Sequence, residues 1–126
     1  MKVAAILGEA LGERFRDPTR LADISGVTLL RHDRDDPVAC LYAPPLADGD
    51  APVISISRRV SGRDRDAMIA IGLGHLFGRH RSRQLYTYSD SGPTFDEADE
   101  VAQAKEFARS FLRVSRGERR ITNAVG

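Results

Sequence analysis

The spacing of apolar residues along the chain predicts three long amphipathic helices and one short helix. In each long helix, apolar residues recur at intervals of three and four, which leaves one helical face apolar. The short helix follows the first long one, with Asp17 as its N-cap, Pro18 as its first residue and Gly26 just after its end. The long helices are expected over Lys2–Arg16, over a central stretch from Gly62 or Arg63 to Arg79, and over Phe95–Arg113.

Apolar and β-branched runs between the short helix and the central helix predict three strands. In the third run, Ile54 and Ile56 alternate with Ser55 and Ser57, so isoleucines and serines occupy opposite faces. This alternation indicates a half-buried strand. The strands are expected over Val27–Leu30, Val38–Tyr42 and Val53–Ser57, with a charged turn at 32–36 and loops at 43–52 and 79–95.

The length and composition suit one globular domain, and the order of the predicted helices and strands makes it α+β. It has 126 residues, of which 41% are hydrophobic and 29% charged, values typical of a globular protein with an ordinary core. The domain is expected over residues 1–114, with a sheet of about three strands packed against three to four helices, and a basic, flexible tail at 115–126. We expect a cytoplasmic protein without membrane contact, because the sequence shows neither a membrane-spanning apolar run nor a signal peptide. The single cysteine, Cys40, lies in an apolar run and is expected to be a buried thiol.

The central helix carries part of a metal-binding pattern. Peptidases of the H-E-x-x-H type place two zinc-binding histidines four residues apart on one helical face, with a glutamate as general base between them. His75 fits the second histidine, but Ile71 stands at the first position and Gly72 at the glutamate. Gly72, Gly74 and Gly78 each cost about 1 kcal/mol relative to alanine in a helix. Close backbone packing and the loss of a former side chain are both possible reasons for them.

Four stretches occur in an order that resembles the ImmA/IrrE family of zinc metallopeptidases, whose fold is a minimal zincin. The resemblance implies a zincin-like fold in which the strand before the central helix lies beside the substrate cleft. It also places Gln103 where the family has a glutamate as third zinc ligand. The four stretches are Leu21–Val27, Val53–Ser57, Ala70–Phe77 and Gln103–Leu112.

Carried over residue by residue, the resemblance implies a pseudo-peptidase without catalytic residues or cofactor. Ile71, Gly72 and Gln103 replace two ligands and the general base, and His75 alone remains. Family members act on transcriptional repressors of phages, mobile elements or stress regulons, so the implied partner is a protein such as a helix-turn-helix repressor. If Val53–Ser57 is an edge strand, an extended peptide could pair with it beside the two serines.

Two other functions stay open. An active zinc peptidase with a rearranged site would combine His75 with Glu100 or Asp99, which share a helical face with Gln103. A nucleic-acid-binding module would use the basic loop after the central helix together with the tail, although the net charge of +1 gives no general attraction to nucleic acid. The loop residues, which are also candidates for protein contacts, are Arg79, Arg81, Arg83, Tyr86 and Tyr88.

Overall fold

The described part of the chain forms four helices and four strands in an α+β arrangement. The computed structural model describes residues 3–33, 40–45, 47, 49–79, 84–86 and 98–117, and only the backbone of 84–86, 98 and 99. The helices are α1 (Val3–Phe15), α2 (Pro18–Ile24), α3 (Gly62–Phe77) and α4 (Ala98–Ser115). The strands are β1 (Thr28–His32), β2 (Cys40–Ala43), β3 (Val53–Ser57) and β4 (Gln84–Tyr86). Within these ranges no helix has the length and apolar character needed to cross a membrane.

The strands form one mixed sheet in the order β1-β3-β2-β4. β3 lies inside the sheet: Ile54 pairs with Leu29 of the parallel strand β1 and with Tyr42 of the antiparallel strand β2. β4 pairs antiparallel with the other side of β2. The strand that runs directly into α3 is therefore paired on both sides.

The core lies between one face of this sheet and the helices. Ile54 and Ile56 of β3 share that face with Cys40 and Tyr42 of β2, and all four side chains are buried. Helix α3 contributes Met68, Ile69 and Leu73 to the same cluster, and α4 contributes Phe107 and Phe111.

Helix α4 packs against both α1 and α3, and glycines bring the helix backbones close together. A Cβ added at Gly8 would lie 2.5 Å from the carbonyl oxygen of Phe107, and one at Gly12 would lie 2.5 Å from that of Phe111. Because real Cβ atoms do not approach so closely, only glycine permits this crossing of α1 and α4. An ion pair between Arg113 and Glu9, 2.7 Å apart, joins the same two helices at their surface.

Most predicted elements are confirmed, with four corrections. Residues 84–86, expected in a loop, form a fourth strand that pairs with β2, in a sheet expected to have about three strands. His32, expected in a charged turn, is the last residue of β1. Helix α3 ends at Phe77, two residues early, and Arg79 adopts a left-handed conformation with φ of 58°. β3 is covered on both faces and is not half-buried.

Candidate functional site

The candidate catalytic positions of α3 lie in the core of the domain. Gly72 and His75 are buried and Ile71 is half-buried. No part of the His75 side chain is exposed to solvent. In a catalytic zinc site, the metal keeps one coordination position open for water or substrate, so its ligands line an accessible cavity. The enclosure of His75 does not fit that requirement.

His75 packs against the sheet through Tyr42 of β2. The two rings are stacked, with centroids 5.5 Å apart and an angle of 22° between their planes. Tyr42 is 1% exposed, and this burial raises its pKa from 10.0 to about 12. The phenol therefore stays neutral well beyond neutral pH, and His75 lies in an aromatic layer between α3 and the sheet.

Gly74 allows α3 to approach α4. A Cβ at this position would lie 2.6 Å from the carbonyl oxygen and 2.7 Å from the Cα of Ala104. These are backbone atoms of the neighbouring helix, which cannot rotate away as the end of a flexible side chain can. Of the two reasons considered for this glycine, close backbone packing accounts for it.

Gln103, at the position of the third ligand, has a different environment from His75. It is exposed and lines a groove of about 630 Å³ between the start of α1, the end of α3 and the first half of α4. We call this the α1–α4 groove. Its other lining residues include Val3, Leu7, Gly74, Phe77 and Phe107.

The residues present do not fit the zinc ion that the family resemblance implies. Ile71 offers no donor atom and Gln103 only a neutral amide, so His75 is the one good ligand of the pattern. For the rearranged site, Glu100 is half-buried on α4, and the side chain of Asp99 lies outside the described residues. Across the part of the chain that the structure describes, no three His, Cys, Asp or Glu side chains come close enough to hold a metal ion.

Two partner-binding candidates, Ser55 and Ser57, are not available to a peptide. They are 8% and 0% exposed, and β3 has strands on both sides, so it cannot accept another. Their hydroxyls bond within the domain: Ser55 Oγ is 2.8 Å from Nδ1 of His32, and Ser57 Oγ accepts from the backbone N–H of Arg59. Peptide addition to this strand is therefore wrong, because the serines are buried polar groups whose hydrogen bonds serve the fold.

Of the basic loop, the structure describes only its beginning and one short strand. Arg79 is exposed just after the end of α3, and Tyr86 ends β4, where only its backbone is described. Arg81, Arg83 and Tyr88 lie outside the described residues, as does the tail after residue 117. The nucleic-acid hypothesis therefore gains no support from the described geometry.

Sequence reasoning missed the apolar surface beside the groove. Val3 and Ile6 of α1 are 77% and 48% exposed, although both are apolar. Only the docking of α1 on α4 determines which residues stay exposed, and the amphipathic pattern of a single helix did not reveal it. The positions of β1 and β4 at the edges of the described sheet were missed for a similar reason, because no single strand indicates the order of the strands.

Comparisons of the chain with family models, with curated proteins and with solved structures find no match in any of the three.

Proposed function

We propose that the chain is a non-catalytic regulator of the ImmA/IrrE type, a pseudo-peptidase that acts in the cytoplasm by binding a protein partner without cleaving it. The observation that best supports this proposal is the enclosure of His75, which is 0% exposed and stacked on Tyr42. A histidine in that position is packed within the core, where substrate and water do not reach it.

The chemistry of the neighbouring positions supports the same proposal. A peptidase of this type needs three zinc ligands and a carboxylate that takes a proton from the metal-bound water. Gly72 removes that carboxylate, and Ile71 and Gln103 remove two ligands. Each loss alone would impair hydrolysis, and together they remove both the ligand set and the base that a peptidase of this type uses.

The α1–α4 groove is the surface that we assign to the partner. Val3 and Ile6 form an exposed apolar patch next to it, and such patches on soluble domains commonly mark protein interfaces. A groove between helices with apolar walls suits an amphipathic helix of the partner, which would insert its apolar face. A helix-turn-helix repressor, the class that the resemblance implies, offers such helices.

Zinc titration followed by calorimetry tests the non-catalytic part of the proposal. We expect no stoichiometric binding to the wild-type chain, and the same result for His75→Ala, whose fold is checked by circular dichroism. Tight binding of one zinc per chain that disappears in folded His75→Ala would overturn the proposal and favour the rearranged peptidase.

If a neighbouring gene encodes a repressor-like protein, co-expression with that protein tests the partner. We expect a complex in which intact mass spectrometry finds both chains uncut after prolonged incubation. Ile6→Lys should weaken this complex at least tenfold, because it places a charge in the apolar patch, whereas Leu30→Lys, which changes a residue of similar exposure on β1, should not. Cleavage of the repressor, or the absence of any complex, would contradict the proposal.

A further inference from the structure

Five arginines lie around the turn that joins β3 to α3. Two belong to the turn itself and one to the start of α3, while the other two come from β1 and from the residue after α4. We call them the arginine surface, which consists of Arg31, Arg58, Arg59, Arg63 and Arg116. All except Arg59 are exposed. Three distant segments of the chain thus place like charges around one turn.

Backbone carbonyl groups of the turn hold two of these side chains in place. Arg31 Nη2 donates to the carbonyl oxygen of Val60 at 3.0 Å and to that of Arg58 at 3.4 Å. Arg116 Nη2 donates to the carbonyl oxygen of Arg63 at 3.5 Å. Among the described residues, neither arginine forms an ion pair with a carboxylate. Because each uses only Nη2 for these bonds, the N–H groups on Nε and Nη1 are left for an anion.

The aspartates close to this surface do not cancel its charge. They are Asp33, after the end of β1, and Asp64 and Asp66 on α3, and five arginines less three aspartates leave a local charge of +2. On the side of α2, Asp17 and Arg65 add one charge of each sign. The whole chain has a net charge of only +1, so positive charge is concentrated here.

We propose that the arginine surface binds the phosphate backbone of a nucleic acid, without reading its sequence. The guanidinium group presents its N–H groups in a planar fork that bonds two oxygens of one phosphate. None of the exposed large apolar side chains of the described residues belongs to this surface, since Leu30 points to the opposite face of β1 from Arg31. A protein interface or an amphipathic membrane contact would bury such apolar groups. A phosphate backbone, which needs only cations and hydrogen-bond donors, is the partner that fits.

This surface is separate from the loop after α3 and from the α1–α4 groove. It lies at the start of α3 and the end of α4, whereas the groove lies at the end of α3 and the first half of α4. Helix α3 has 16 residues, so its two ends are about 24 Å apart. Variants of the arginine surface can therefore be compared with a variant at the far end of the same helix.

Fluorescence anisotropy of a labelled DNA duplex of random sequence, titrated with the full chain, tests this proposal. The logarithm of the association constant should fall linearly with the logarithm of salt concentration, with a slope of about −3 if Arg31, Arg58 and Arg116 each neutralise one phosphate. Arg58→Gln and Arg116→Gln should each reduce the magnitude of this slope by about 1. The double variant should bind about tenfold more weakly at low salt.

Arg79→Gln is the matched control, because it removes the same charge from an exposed arginine beyond the other end of α3. It should bind the duplex like the wild type, and all variants should keep the wild-type circular dichroism spectrum. A wild-type chain that does not bind, binding unaffected by the double variant, or an equal loss in Arg79→Gln would each overturn the proposal. Equally tight binding to polyglutamate or to phosphatidylglycerol vesicles would also overturn it, since the partner would then be of another class. None of these outcomes bears on the repressor complex, which is assigned to the α1–α4 groove.

Discussion

Replacing Gly74 by alanine tests whether α3 and α4 are in backbone contact. The new Cβ would lie 2.6 Å from the carbonyl oxygen of Ala104, whereas an ordinary contact begins at 3.4 Å, so the helices must separate by about 0.8 Å. Alanine favours the helix by about 1 kcal/mol over glycine, and overpacking of a core costs about 1–3 kcal/mol. Because the clashing atoms are backbone, we place the cost at the upper end and expect a net loss of about 1–2 kcal/mol in the free energy of unfolding.

Thermal and urea unfolding followed by circular dichroism measure this loss. For a chain of this length, it should lower Tm by about 4–8 °C. Ala104→Gly should not rescue the variant, because the atoms that clash belong to the backbone and remain. Gly26→Ala is the control for backbone strain: a Cβ there meets nothing within 4 Å, but φ is +78°, so its loss of stability comes from conformation alone.

A rise in Tm for Gly74→Ala would refute the reasoning. It would mean that helix propensity outweighs the contact and that α3 and α4 have room for a methyl group. Full rescue by Ala104→Gly would also contradict it, since the contact would then be between side chains.

Three further changes have defined outcomes. Arg79→Gly should raise the free energy of unfolding in urea by about 0.5–1 kcal/mol, because glycine adopts the left-handed conformation (φ 58°) without steric cost; unchanged or lower stability would show that the arginine side chain compensates. Asp17→Ala should lower Tm, because it removes the carboxylate that caps α2 by accepting from the Thr19 N–H at 2.9 Å; the free energy of unfolding should fall by about 1 kcal/mol. Asp17→Asn, which keeps a side-chain acceptor, should retain most of the stability. The fold favours the neutral phenol of Tyr42, because burial raises its pKa from 10.0 to about 12. Its contribution to the free energy of unfolding is therefore complete below pH 10 and is lost as pH rises towards 12. In urea titrations, Tyr42→Phe should lose less stability at alkaline pH than the wild type does, and an equal loss would contradict burial as the cause.

The sequence predicted the fold where local pattern and tertiary contact agree. β3 was predicted with its observed bounds, because alternation and β-branching mark Val53–Ser57 as a strand in isolation. The burial of Ser57 was not predicted, since it depends on a hydrogen bond from Arg59 that satisfies the hydroxyl. β4 was missed because its three residues lie in a polar stretch and become a strand only by pairing with β2.

In the candidate site, too, local sequence predicted some features, and tertiary contacts determine the others. The residue pattern singled out His75, but its stacking on Tyr42 joins residues 33 positions apart and has no signature in either segment. The α1–α4 groove collects residues from three helices, and Gln103, which the family resemblance placed at the position of a lost zinc ligand, is one of them. The residue types indicate which chemistry each side chain could perform, whereas the exposure of each side chain depends on how distant helices and strands pack.

The crossing of α1 and α4 has a consequence for synthesis of the chain. Glu9 and Arg113, which form an ion pair, are separated by 104 positions, and Gly8 meets Phe107 over a similar distance. Helix α1 therefore leaves the ribosome long before α4, which covers its apolar face, has been synthesised. Contacts of such long sequence separation slow folding and prolong the exposure of apolar surface. The nascent chain should thus expose the apolar face of α1 until α4 emerges, and removal of α4 should harm α1 before it harms the sheet.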